Sequence, residues 1–104
     1  MSEEFNVTTE GKIKPNFALQ EPPLFKVIYI NDEVTTMEFV VESLCDFFSY
    51  NPDTASTITS DIHAEGSAIV AVLPYEIAEQ KGIEVTLDAR SKGFPLQIKV
   101  EAEA

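Results

Sequence analysis

Tryptophan is absent from this 104-residue chain, and cysteine and histidine occur once each, as Cys45 and His63. A single thiol excludes an intrachain disulfide and fits a reducing compartment. One thiol and one imidazole also exclude the Cys/His clusters that hold zinc. Basic side chains are few, with 7 Lys and Arg against 18 Asp and Glu, a net charge of −11. Nucleic acid is excluded as a partner, because binding it takes basic residues that displace counterions. An anionic membrane surface is disfavoured for the same reason. A cationic partner or an amine ligand is attracted, and the charge also serves solubility. No apolar run has the length to span a bilayer, and no secretory signal or transit peptide opens the chain. The expectation is a soluble, intracellular protein. Gly-x-Ser-x-Gly, the Walker loop and the dinucleotide fingerprint are all missing. No metal or cofactor is expected, and no enzyme activity.

What remains is an ordinary globular composition, 44% apolar, in a length that suits one domain. Residues 1–23 differ from the rest. They hold four Glu, two Lys and prolines at 15, 22 and 23, and are expected to form a flexible N-terminal extension. Phe5, Phe17 and Leu19 are its apolar anchor candidates. The core domain is expected over residues 24–104. Leu24 to Ile30 reads as a buried strand. Thr35 or Thr36 is the N-cap of a helix, whose apolar stripe runs through Met37, Val40, Val41, Leu44, Phe47 and Phe48. Asn51-Pro52-Asp53 marks a turn. Thr54 to Ser60 is a weak helix, since its Thr and Ser oppose one by propensity. His63 to Gly66 reads as a turn, Ser67 to Leu73 as a strand. Pro74 suits the first turn of a helix that runs to about Arg90, with Ala78, Gly82, Val85 and Ala89 on one face. Gly93 and Pro95 end it, and Leu96 to Val100 is the last strand. The order β-α-α-β-α-β predicts an α+β fold, a two-layer α/β sandwich with a three-stranded antiparallel sheet packed on three helices.

The chemistry concentrates at the end of the first strand. Asn31, Asp32 and Glu33 leave it in succession, a seat for a cation or an amine and a poor one for phosphate. Adjacent carboxylates lack the separation that glycosidase chemistry requires, and an acidic turn is also a plain loop signal. His63 joins this cluster if the strands from Leu24 and Ser67 are neighbours. Met37, Val40 and Leu96 serve either as core or as the wall of an apolar pocket. Cys45, flanked by Glu42 and Asp46, is a small core residue rather than a reactive thiol.

In order along the chain, Phe25-Lys-Val-Ile-Tyr-Ile-Asn-Asp-Glu-Val-Thr-Thr-Met-Glu-Phe-Val-Val41, Phe47-Phe-Ser-Tyr50, Ile62-His-Ala-Glu-Gly66, Glu76-Ile-Ala-Glu-Gln-Lys81, Ala89-Arg90 and Phe94-Pro-Leu96 resemble the ClpS adaptor family. The resemblance spans residues 24 to about 100. It implies a non-catalytic adaptor that recognises the first residue of N-degron substrates. Such adaptors pass these to the N-terminal domain of a Clp AAA+ unfoldase of the ClpA or ClpC type. The preferred first residues are Leu, Phe, Tyr and Trp. It further implies that Asn31, Asp32, Glu33 and His63 hold the free α-amino group. Thr35, Met37, Val40, Thr59, Ile62 and Leu96 line the pocket for the first side chain. Burying Leu or Phe there contributes roughly 1.5–3 kcal/mol, and Met37 crowds ligands branched at Cβ. The unfoldase docks around Glu76 and Lys81, and the N-terminal extension is needed for delivery. Two positions depart from the family pattern. Glu33 stands in place of Asp, and Thr59 in place of a large apolar residue, so the ranking of first residues is open. The competing expectations are a protein–protein module of this fold without N-terminal recognition, and a small hydrolase using Asp32, Glu33 and His63, which lacks a nucleophile placed by motif.

Overall fold

The computed structural model describes residues 22–104. The expected N-terminal extension, with Phe5, Phe17 and Leu19, lies outside the described residues. Strand β1 covers Leu24–Ile30 and leads to helix α1, Met37–Phe48. Helix α2 is Pro52–Glu65, strand β2 Ser67–Pro74, helix α3 Tyr75–Ser91 and strand β3 Gln97–Ala102. The order β-α-α-β-α-β holds as expected.

The sheet is antiparallel throughout, in the order β2-β1-β3. The first strand is therefore the central one, paired on both sides. Val27 and Tyr29 alternate along it, are fully buried, and pack with Leu44, Ile62, Val70, Val85 and Leu96. The Tyr29 hydroxyl lies 2.8 Å from Ser43 Oγ. The Ser43 hydroxyl donates to Val40 O at 2.8 Å, so Tyr29 is the donor of that pair. Burial pushes the Tyr29 phenol well up, against the smaller opposing pull of the Ser43 bond. Strand β2 carries a bulge opposite Val27 and Ile28, where the register jumps from Ala71 to Ile69. Val70 is the extra residue. Its side chain is buried and its carbonyl accepts from the Tyr50 hydroxyl at 2.6 Å, which anchors the α1–α2 connection to the sheet.

Helix α1 starts as the sequence indicates. Thr36 is the N-cap, and its hydroxyl accepts from Phe39 N at 3.1 Å. The buried stripe keeps Val40 and Leu44 of the expected one and adds Phe39 and Ser43, while Val41, Phe47 and Phe48 pack against the core half-buried. Phe39, Val40, Ser43 and Leu44 face the core, and Phe39 packs on Phe94 with ring centroids 5.2 Å apart. Met37 is the first helical residue and is 46% exposed. It sits at the rim because the Thr36 cap fixes the helical phase.

Helix α2 is twice as long as the weak Thr54–Ser60 segment expected from propensity, 14 residues. His63 lies in its last turn, not in a loop. Two features override the propensity. Asn51 caps the start by accepting from Thr54 N at 2.8 Å, with Pro52 in the first turn. The Thr57 and Thr59 hydroxyls donate to the carbonyls of Asp53 and Ala55, four residues back. That satisfies them without competing for the backbone N–H groups. Gly66 ends the helix at φ 92°, with its N–H bonded to Ile62 O at 2.9 Å. A left-handed residue there reverses the chain directly into β2.

Candidate functional site

The antiparallel register decides what meets at the end of β1. Ile30 pairs with Ser67, and Asn31 N donates to Gly66 O at 2.9 Å. Asn31 therefore leaves β1 against the C-terminal end of α2, one turn from His63. Both side chains are exposed, as is Glu33. The last carbonyls of a helix carry the negative end of its dipole. The corner thus combines a carboxamide, two carboxylates and a helix C-terminus, an arrangement suited to a cation that donates hydrogen bonds.

Asp32 holds the loop in shape. Its Oδ1 accepts from Val34 N at 2.8 Å and Thr35 N at 2.7 Å, and its Oδ2 accepts from the Thr35 hydroxyl at 2.7 Å. Short Asx-type bonds of this kind are why Asp suits such a turn. Partial burial pushes its carboxyl up. The amide and hydroxyl of Thr35, the Val34 amide and the Arg90 charge outweigh that, and the carboxyl lies below its usual 3.8. Thr35, expected on the pocket wall, is half-buried and engaged with Asp32.

An open depression of about 430 Å³ lies between α1 and α2, with Thr59 one helical turn before His63. Met37 and Thr59 line it, with Val41 and Ser56 behind them and Glu38 and Glu42 at the α1 side. Thr59 is only 3% exposed, and its hydroxyl is engaged by Ala55 O at 2.7 Å. It therefore offers the depression no free donor, although Thr is formally polar. The other pocket candidates, Val40, Ile62 and Leu96, are buried in the core cluster and do not line this opening. Of the expected wall, Met37 and Thr59 thus line the opening, Thr59 from a buried position, and Val40, Ile62 and Leu96 do not.

Arg90 carries a role that the sequence left without one. Its Nη1 donates to Phe94 O at 3.0 Å and Leu96 O at 2.8 Å. The guanidinium fastens the turn between α3 and β3, sets the entry of Leu96 into the core, and places a positive charge toward Asp32. A cation in the last turn of a helix was the available signal. Its two carbonyl partners depend on the Gly93 turn, at φ 82°, and are invisible in sequence. The expected docking residues Glu76 and Lys81 are separated by about 140° around α3. Glu76 borders an acidic depression with Glu79, Gln80 and Glu84, while Lys81 borders one formed by Phe47, Phe48, Tyr50 and Ile77. Cys45 is half-buried against the core. Among the described residues there is no cluster of three or more His, Cys, Asp or Glu able to hold a metal, and no helix long and apolar enough to cross a membrane.

Residues 20–99 match the family model described as ATP-dependent Clp protease adaptor protein ClpS. The chain belongs to the ClpS family. It is 40% identical over 92 residues to the ATP-dependent Clp protease adapter protein ClpS of Wolinella succinogenes, covering 88% of this chain and 90% of that one. It is 46% identical over 85 residues to the ClpS of Campylobacter jejuni (strain 81-176), covering 82% and 88%. Its fold matches the structure of Agrobacterium tumefaciens ClpS2 bound to L-phenylalaninamide. The TM-score is 0.77 at 38% identity, covering 80% of this chain and all of that one. The α+β architecture is thus the ClpS fold, and the chain is an adaptor of the Clp protease.

Proposed function

We propose that this ClpS-family adaptor binds substrates through a free α-amino group and a bulky hydrophobic first side chain, Leu, Phe, Tyr or Trp. It then delivers them to the N-terminal domain of a Clp AAA+ unfoldase, catalysing nothing itself. The observation that carries the reading is the bond from Asn31 N to Gly66 O. It joins the acidic end of β1 to the His63 turn of α2, beside the Met37–Thr59 opening. A protonated α-amine is cationic at neutral pH and has three N–H donors. Asn31 accepts through its amide oxygen, Glu33 and Asp32 supply negative charge, and His63 accepts through a neutral ring nitrogen. An internal peptide bond has neither that charge nor those donors, and a polar site left unpaired discriminates strongly.

The side chain of the first residue enters past Met37 and Thr59 toward Val40, Ile62 and Leu96. Met37 is unbranched and half-exposed, so it adapts to different rings while still crowding a branched Cβ. L-phenylalaninamide in the related ClpS2 structure has a free α-amine and a phenyl group, with an amide where a peptide would continue. It stands in for an N-terminal Phe, and supports this reading of the corresponding corner here. Glu76 and Lys81 lie on α3, on different faces from the opening, and are assigned to unfoldase docking.

The reading is tested by titrating peptides that differ only in the first residue. Leu, Phe, Tyr and Trp are expected to bind at least tenfold tighter than Val or Ile, a difference of about 1.4 kcal/mol. Equal affinity for all six would leave a protein–protein module without N-terminal recognition as the better reading.

A further inference from the structure

We propose that Met37 is a site of reversible oxidation, where a peroxide converts the thioether to the sulfoxide and lowers affinity for N-terminal ligands. The effect on binding rests on the function proposed above, and the reactivity of the thioether does not. The chain has two methionines, Met1 and Met37, so Met37 is the one methionine among the described residues. Methionine is among the residue types most often fully buried. Met37, the first residue of α1, is instead 46% exposed. Phe39 and Val40, two and three positions on, are buried. The Thr36 cap that turns them inward leaves the Met37 sulfur at the rim.

Access decides where such oxidation falls. The depression between α1 and α2 opens the Met37 side chain to small solutes, with Val41, Ser56 and Thr59 around it. The other sulfur among the described residues, Cys45, is half-buried against the core. In the step, a sulfur lone pair attacks one oxygen of hydrogen peroxide. The S–O bond forms as the O–O bond breaks. The hydroxide that leaves takes the proton of the transferred oxygen and becomes water. Sulfur is oxidised by two electrons, and the peroxide is reduced by the same two.

The product is polar and the surroundings do not satisfy it. A sulfoxide replaces a flexible apolar side chain with a polar, chiral one, whose oxygen seeks a donor. Thr59 has none to give, since its hydroxyl is engaged by Ala55 O at 2.7 Å. Val41 is apolar, and the carboxylates of Glu38 and Glu42 offer acceptors only and oppose the negative end of the S–O dipole. Ser56 and Ser60 carry the remaining hydroxyls of the lining and are exposed. The oxygen is therefore best served by water, and a ring passing Met37 would have to strip that water away, which is costly. The amine corner of Asn31, Asp32, Glu33 and His63 contains no sulfur, so its charge contacts persist and the loss is partial. Sulfoxide reduction restores the thioether, which makes the change a switch.

Treatment of the full chain with hydrogen peroxide, then with dithiothreitol to return oxidised thiol, tests the proposal. Peptide mass spectrometry is expected to place one added oxygen on Met37, at a rate close to that of a free methionyl peptide. Affinity for a peptide that begins with Phe should then fall roughly tenfold. It should recover after a pair of methionine sulfoxide reductases, one for each epimer, has acted. Met37→Leu retains Met1 and Cys45, so, whatever its own affinity, peroxide should leave that affinity unchanged. Far-UV circular dichroism of the wild type should be the same before and after oxidation. A Met37 that stays reduced while the methionyl peptide is converted would overturn the proposal. So would equal affinity of the oxidised and untreated wild type, a loss that also occurs in Met37→Leu, or a changed spectrum, which would assign the loss to the fold. An untreated chain that binds no such peptide would overturn the function proposed above and the effect on affinity with it, while the mass readout at Met37 would stand.

Discussion

At the end of β1 three hydrogen bonds to Asp32 hold a short loop against a helix terminus. At the β3 edge of the same sheet, Tyr75, Ile83 and Leu87 stand open on α3, with Glu79 and Thr86 as polar neighbours in the groove between α3 and β3. The first region is rigid, acidic and made of specific acceptors. The second is largely apolar, with Gly82 in its lining. Recognition of a small charged group needs fixed polar atoms, because misplacement by about 1 Å removes much of the gain. Apolar contact depends on area rather than on exact placement, and tolerates imprecise fit. Perturbations of the two regions should therefore separate cleanly into ligand effects and stability effects.

The largest separation is expected from Asp32→Ala. Losing three bonds frees the Val34–Thr35 segment, and peptide affinity should fall at least tenfold, about 1.4 kcal/mol. The groove methyls should not move. Isothermal titration together with NMR checks both halves, and an equal disturbance of the groove would break the distinction.

Acid should act on the same loop. The carboxyl of Asp32 is depressed in the folded chain, so its stabilisation is complete above its unfolded value. It is lost as the pH falls through the lower folded value. The stability difference between the wild type and Asp32→Asn should be constant above about pH 5 and shrink below about pH 4. Denaturant midpoints across that range measure it, and a difference that grows in acid would reverse the sign argued here.

Tyr29→Phe lies between the two regions. It removes one buried hydrogen bond to Ser43 and should lower stability by about 1 kcal/mol without changing peptide affinity. Gly82→Ala sharpens the comparison from the other side. The added Cβ would lie 3.6 Å from Ile98 and Val100 methyls, an ordinary contact, so nothing in the packing demands glycine. Stability should rise by about 0.5–1 kcal/mol, again with peptide affinity unchanged. Thermal melts and titrations of both variants decide these points.

Much of this division was legible in the residues. Strand β1 is set by its own composition from Leu24 to Ile30, and Thr36 announces the start of α1. The small face of α3, through Ala78, Gly82, Val85 and Ala89, is buried as its spacing predicts. Helix α2 was under-read because a Thr-rich stretch opposes a helix until its hydroxyls turn back on the carbonyls of Asp53 and Ala55. His63 looked like part of a turn because Gly66 follows so closely, yet a glycine at the C-cap ends a helix rather than preceding one. Phe39 was missed as core because Met37 was taken as the first inward position. The Thr36 cap turns the inward face toward Phe39 and Val40. The acid corner was visible as Asn31-Asp32-Glu33, but its pairing with Gly66 is a long-range register that no local pattern contains. The two carbonyls held by Arg90 are hidden for the same reason.

The central claim is that the β1–α2 corner holds a charged chain terminus. It is tested most directly by one pair of titrations, using a peptide that begins with Phe and the same peptide acetylated on its α-amine. A roughly hundredfold or greater loss of affinity on acetylation is the predicted result. Equal affinity for the two peptides would contradict it.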